Sequence, residues 1–146
     1  MLKIGEKIML TLWIGSLWSI GFIVIPTLFG TLDDRQLAGM LAGKLLTLVS
    51  YIGIFCALML IISEFMRSQL IKENKRVWLL ALMTLIILIG EFLIQPQMAE
   101  LKQLGLIEGS QTAQKFAQLH GVSSVLYVFN AFLGLILISF KFKNSG

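Results

Sequence analysis

Four long runs without charge constrain this chain more than any other feature. Residues 8–32, 45–63 and 116–140 contain no Asp, Glu, Lys or Arg, and within 77–99 only Glu91 interrupts. At ~1.5 Å rise per residue, each run is long enough as a helix to cross a ~30 Å hydrocarbon core. Single strands could not, because lipid offers no partner for their edges. The sequence therefore predicts an all-α integral membrane protein: one transmembrane domain over residues 1–146, a four-helix bundle with helices near 8–30, 36–66, 77–104 and 112–140.

Composition agrees. The chain is 57% hydrophobic and 14% charged, whereas soluble domains run at roughly 45–50% and 25%. These figures argue against a water-soluble enzyme and exclude a disordered chain. The single Cys, Cys56, permits no internal disulfide framework and no Cys-based zinc finger. The formal charge of +4 reflects basic residues at the ends of apolar spans and not a nucleic-acid surface. The first span exceeds the ~7–15-residue apolar core of a signal peptide and carries Trp13, Trp18 and Phe22, so it is expected to remain in the protein.

Basic residues also set an expected orientation. Lys3, Lys7, Arg67, Lys72, Lys75, Arg76, Lys141 and Lys143 lie at one end of the spans, against Arg35, Lys44, Lys102 and Lys115 at the other. This bias puts both termini in the cytoplasm of a plasma or bacterial inner membrane. In the outer connections Asp33-Asp34 can start the second helix, Gly105 can end the third, and Ser110 or Thr112 can cap the fourth. The halves echo each other weakly: Pro26 and Pro96, then Lys44 and Lys115, recur at offsets of about 70 residues. Poor side-chain identity makes this a coincidence of topology.

Helical angles give every span a stripe of small or polar residues. Thr11, Gly15, Trp18, Ser19, Phe22 and Pro26 share a face of the first, and Gly39, Gly43, Ser50, Gly53 and Ala57 a face of the second. Thr84, Glu91 and Gln95 align on the third; His120, Ser123, Ser124, Tyr127, Asn130, Ala131 and Gly134 cluster on the fourth. Such stripes are best accommodated facing one another, with Gly15, Gly39, Gly43 and Gly53 permitting close approach and Pro26 and Pro96 marking the span ends. Gly39-x-x-x-Gly43-Lys44-Leu45 is one residue short of a phosphate loop and lacks its Ser or Thr. Gly121-Val122-Ser123-Ser124-Val125 lacks the second glycine of a hydrolase elbow. No catalytic residue, cofactor or metal ligand set is expected, and no enzyme.

Glu91 is the costliest residue by position, an ionisable group inside a span. With Gln95 and His120 it could line an outward-facing polar pocket that also takes in Lys44, Ser123, Ser124 and Tyr127. The plainer alternative is a neutral carboxyl, hydrogen-bonded and serving only to fix packing. Cys56, mid-span, is expected to be a buried packing residue.

The segment Phe116-Ala117-Gln118-Leu119-His120-Gly121-Val122-Ser123-Ser124-Val125-Leu126-Tyr127 resembles the signature of the transmembrane-protein-205-like family. Trp13-Ile14-Gly15 leading to Pro26-Thr27-Leu28-Phe29, residues 37–43 and Gln95-Pro96-Gln97-Met98 resemble it too. The resemblance implies a small four-helix membrane protein and supplies no reaction or substrate. Two functions stay open: handling a small solute, ion or proton through the outer pocket, or assembly with membrane proteins or a second copy through the Gly-rich faces. The bilayer itself is the expected surrounding partner.

Overall fold

The computed structural model describes residues 4–67 and 75–142. Four helices dominate: α1 (Ile4–Thr31), α2 (Arg35–Arg67), α3 (Lys75–Gln103) and α4 (Gln111–Phe142). All four are long and apolar enough to cross a membrane. Lys3, Lys72 and Lys143, part of the orientation argument, lie outside the described residues.

The connections at one end of the bundle show why the helices stop. Asp34 Oδ1 accepts the amides of Gln36 at 2.8 Å and Leu37 at 3.1 Å, capping α2. After α3, Gly105 takes φ +88°, a left-handed conformation that suits glycine and turns the chain. Ser110 Oγ then accepts the Ala113 amide at 3.1 Å and opens α4.

The helices close a ring, α1 against α2, α2 against α3, α3 against α4 and α4 back against α1. Trp13, Cys56, Leu60, Leu80, Met83 and Leu137 fill its centre with almost no exposure. The outer surface is as apolar as the core, with Ile23, Phe55, Leu93 and Val125 all exposed. Lipid tails solvate such a surface as well as another helix does, so close packing and interhelical hydrogen bonds hold the ring together. Gly53 shows the closeness: a Cβ there would stand 2.6 Å from Trp13 Nε1 and 2.8 Å from Ile87 Cδ1.

Two helices widen at corresponding places. Ile20–Val24 in α1 and Ile89–Ile94 in α3 are π-helical, and Pro26 and Pro96 follow at once. The Ile25 amide reaches the Ile20 carbonyl and the Gln95 amide the Gly90 carbonyl, five residues back in each case. Proline lacks an amide hydrogen and its ring collides with the carbonyl four residues earlier; a wider turn relieves that collision. The echo between the halves thus extends to the backbone, over Phe22-Ile23-Val24-Ile25-Pro26 and Phe92-Leu93-Ile94-Gln95-Pro96.

Candidate functional site

The ionisable groups that the fold gathers lie at the end opposite the prolines. Glu6 sits in the first turns of α1, Ser63 and Glu64 near the end of α2, and Arg76 at the start of α3. Antiparallel packing brings these three ends to one level. Glu6 and Glu64 are only 6% and 4% exposed. The Ser63 hydroxyl donates to Glu6 Oε1 at 2.5 Å. Arg76 Nη1 donates to Glu64 Oε1 and stands 3.6 Å from Glu6 Oε2, so one guanidinium serves two carboxylates. Glu64 near the C-terminus of α2 and Arg76 at the N-terminus of α3 each occupy the unfavourable pole of their own helix, and pairing across the connection offsets both.

Sequence reasoning passed over this cluster because it treated charges at span ends as solvated flanks. The available signal was that Glu6 and Glu64 stand among the basic residues of that end.

The residues singled out from sequence are placed differently from one another. Glu91, on the π-helical segment of α3, and Gln95 are half-buried; His120, Ser124 and Lys44 are exposed, and Ser123 is half-buried. Among the described residues no hydrogen bond or ion pair joins Glu91, Gln95 and His120. The His120 ring lies parallel to Phe116, centroids 6.1 Å apart, and Lys102 Nζ stands 5.4 Å from the same Phe116 ring. Ser124 donates back to the His120 carbonyl at 2.9 Å, bonding within its own helix. Tyr127 turns to α1 and donates to the Leu17 carbonyl at 2.6 Å.

The glycines divide as well. Gly53, Gly21 and Gly134 meet side chains of neighbouring helices, whereas a Cβ on Gly15 or Gly43 would meet nothing within 4 Å and one on Gly39 only Phe29, at 3.9 Å. Pro26 and Pro96 are exposed and shape their own helices. Cys56 is fully buried in the core. Among the described residues no three His, Cys, Asp or Glu side chains assemble to hold a metal ion.

Four apolar helices and a charged cluster are features that many membrane proteins share, and the family comparison is narrower. A profile described as a domain of unknown function, DUF4149, matches residues 8–106, more than half of the chain. The chain belongs to that family. The match takes in α2, Glu64, Arg76 and Glu91, and stops before α4 and the segment around His120. Nothing matches among curated proteins or among solved structures. The protein is therefore an integral membrane protein of an uncharacterised family, multi-pass by its four apolar helices.

Proposed function

We propose that this protein handles a proton or small cation, and that the Glu6, Ser63, Glu64 and Arg76 cluster is where it does so. The supporting observation is the sharing of one guanidinium by two buried carboxylates from different helices. A group of this kind inside or at the edge of a span is a functional candidate by its cost alone. On the same reading Glu91 is the contact at the other end, 15 residues beyond Arg76 on α3 and so about 22 Å along the axis, with Gln95 and His120 beside the path. The basic bias supports a cytoplasmic position for the cluster and both termini, in a plasma or bacterial inner membrane. No enzymatic step is part of the proposal, and the narrower likeness to transmembrane-protein-205-like proteins adds none.

Vesicles containing the purified chain and a trapped pH-sensitive dye test this. Under an imposed potassium diffusion potential they should admit protons faster than empty vesicles, and Glu64→Gln and Glu91→Gln should each slow the entry. Rates equal to those of empty vesicles, with potassium, sodium and protons all tried, would remove the proposal.

A second reading, assembly with another membrane protein or a second copy, is favoured by one observation. Gly15 opens outward, and Thr11 and Ser19, one turn to either side, are exposed with it. Small residues spaced by four are what a closely approaching helix needs. Cross-linking of Gly15→Cys in native membranes would test it: no adduct with any helix counts against assembly through this face.

A further inference from the structure

The core stops about half-way along the helices. On α1 burial ends at Leu17, and none of residues 20–31 is buried. On α4 it ends at Asn130, and no residue from 111 to 129 is buried. The packing that joins the α1–α2 hairpin to the α3–α4 hairpin comes mainly from Ile4–Ser19 and Lys75–Leu88, before the widened turns. Past those turns α1 packs on α2 and α3 on α4, so the hairpins part and leave a cleft between them. Glu91 stands on its wall. Leu80, Ile87, Ile94 and Met98 follow one inward stripe of α3 and are all buried. Glu91 continues that stripe, four residues after Ile87 and three before Ile94, yet it is only half-buried. An inward residue keeps such exposure where the interior is open. Its level on α4 follows from two meetings. Ile87 and Trp13 both crowd Gly53 while Ile14 crowds Gly134, and nearer the outer end Lys102 lies over Phe116. Counting along the antiparallel helices from either meeting sets Glu91 against about residues 127–130 of α4. Tyr127 and Asn130 therefore floor the cleft at the level of Glu91.

We infer that this cleft is a water-filled vestibule that draws small monovalent cations to Glu91, with the Asn130 amide oxygen beneath it. Hydrogen bonding and charge both select the cation. The donors at the floor, Tyr127 and Trp18, are spent on the Leu17 and Ala131 carbonyls, so neither serves an anion. Two acceptors remain. Among the described residues the Glu91 carboxylate has no hydrogen bond or ion pair, and Asn130 Oδ1 is buried without a hydrogen-bond partner. Lys44, the basic residue of α2 nearest this level, is exposed and lies off the inward stripe of Ala38, Ala42 and Val49. A carboxylate at the end of a low-dielectric cleft focuses its field on cations and repels anions. Lipid tails fill such a cleft poorly, because they leave the carboxylate unsolvated. The inference rests on the reading above for the place of Glu91 on an ion path, while the cleft and its charge selectivity are tested apart from flux.

Introduced cysteines read the cleft directly, in the full chain carrying Cys56→Ala. Ser123→Cys lies on the inward stripe of Tyr127 and Asn130, while Val125→Cys, two residues on, replaces a side chain exposed on the lipid side. Membrane vesicles are treated from the proline side with a trimethylammonium-ethyl or a sulfonatoethyl methanethiosulfonate. Each rate is divided by that of the same reagent with a free thiol. Ser123→Cys should react at least about tenfold faster than Val125→Cys, and about tenfold faster with the cationic reagent than with the anionic one, the low end for a focused cleft. Adding Glu91→Gln should abolish the charge preference and leave the access, whereas Glu91→Asp, which keeps the charge, should keep both. Equal rates at the two positions, equal rates for the two reagents, or a preference that survives Glu91→Gln would overturn the inference. A cation preference without ion flux in the dye-loaded vesicles would support it and count only against the proton step.

Discussion

The Tyr127 hydroxyl donates to the Leu17 carbonyl at 2.6 Å, joining α4 to α1 across 110 residues of sequence. The bond lands where the α1 ladder is about to widen into Ile20–Val24. Gly21, in that widened turn, faces the phenol so closely that a Cβ would overlap the ring. Beside it Trp18 Nε1 donates to the Ala131 carbonyl at 3.2 Å. Two aromatic side chains, one from each helix, thus tie the α1–α4 seam by bonding the partner's backbone, and the missing Gly21 side chain makes room for one of them.

Removing the hydroxyl with Tyr127→Phe should cost about 1 kcal/mol, the usual scale of an interhelical hydrogen bond in a membrane protein. Gly21→Ala should cost more, because the ring must move as well. In the double variant Gly21→Ala with Tyr127→Ala the costs should fall short of additivity, since the second change removes the obstacle to the first. Reversible unfolding in mixed detergent micelles of the wild type, Gly21→Ala, Tyr127→Ala and the double variant measures this cycle, with Tyr127→Phe beside it. Additive costs would show that Gly21 and Tyr127 act independently.

The glycines should respond to alanine according to their surroundings. Gly53→Ala forces a methyl against Trp13 and Ile87 and should destabilise the bundle by about 1–3 kcal/mol. Gly15→Ala and Gly43→Ala open onto free space and should be neutral or slightly stabilising, as alanine is the better helix former. Equal losses at positions 15 and 53 would contradict the α1–α2 packing described above.

Arg76→Met should be the most damaging change at the charged cluster. It removes the guanidinium that both Glu6 and Glu64 approach, and breaking a buried pair costs about 3–5 kcal/mol. Adding Glu6→Gln and Glu64→Gln to Arg76→Met should recover much of that loss, because the buried charges are then gone. Thermal unfolding in detergent reads both. A triple variant no better than Arg76→Met would mean that the guanidinium acts through packing and not through charge.

Cys56 is fully buried, so neither water nor reagent should reach its thiol. A charged maleimide should leave it unlabelled in intact membranes from both sides and label it after denaturation. Fast labelling of the native protein would reveal a water-filled route through the ring.

Reporter fusions address orientation. A phosphatase active only outside the cytoplasm should work after Gly105 and fail after Lys75, and a fluorescent protein folding only in the cytoplasm should show the reverse. The opposite pattern would invert the basic-residue argument.

Much of the architecture was legible in the sequence because bilayer thickness imposes it: runs of 19 to 25 uncharged residues leave helices as the only way to satisfy the backbone in lipid. The stops were legible too, since Asp34, Gly105 and Ser110 act on backbone within three residues of themselves. Helical periodicity also sorted small and polar residues onto one face of each helix. What it lacked was the direction each face takes. In lipid an outward face and an inward face are equally apolar, so Gly53 and Gly15 look alike in sequence while one meets Trp13 and the other meets nothing. Glu91 stood out because it interrupts an apolar run, and it remains a half-buried group without a partner among the described residues. Glu6, Ser63, Glu64 and Arg76 lie up to 70 residues apart in sequence at positions that read as solvated helix ends. Only the antiparallel packing of α1, α2 and α3 brings those ends to one level and buries their charges together, and that juxtaposition is a property of helix contacts and not of any local stretch of sequence.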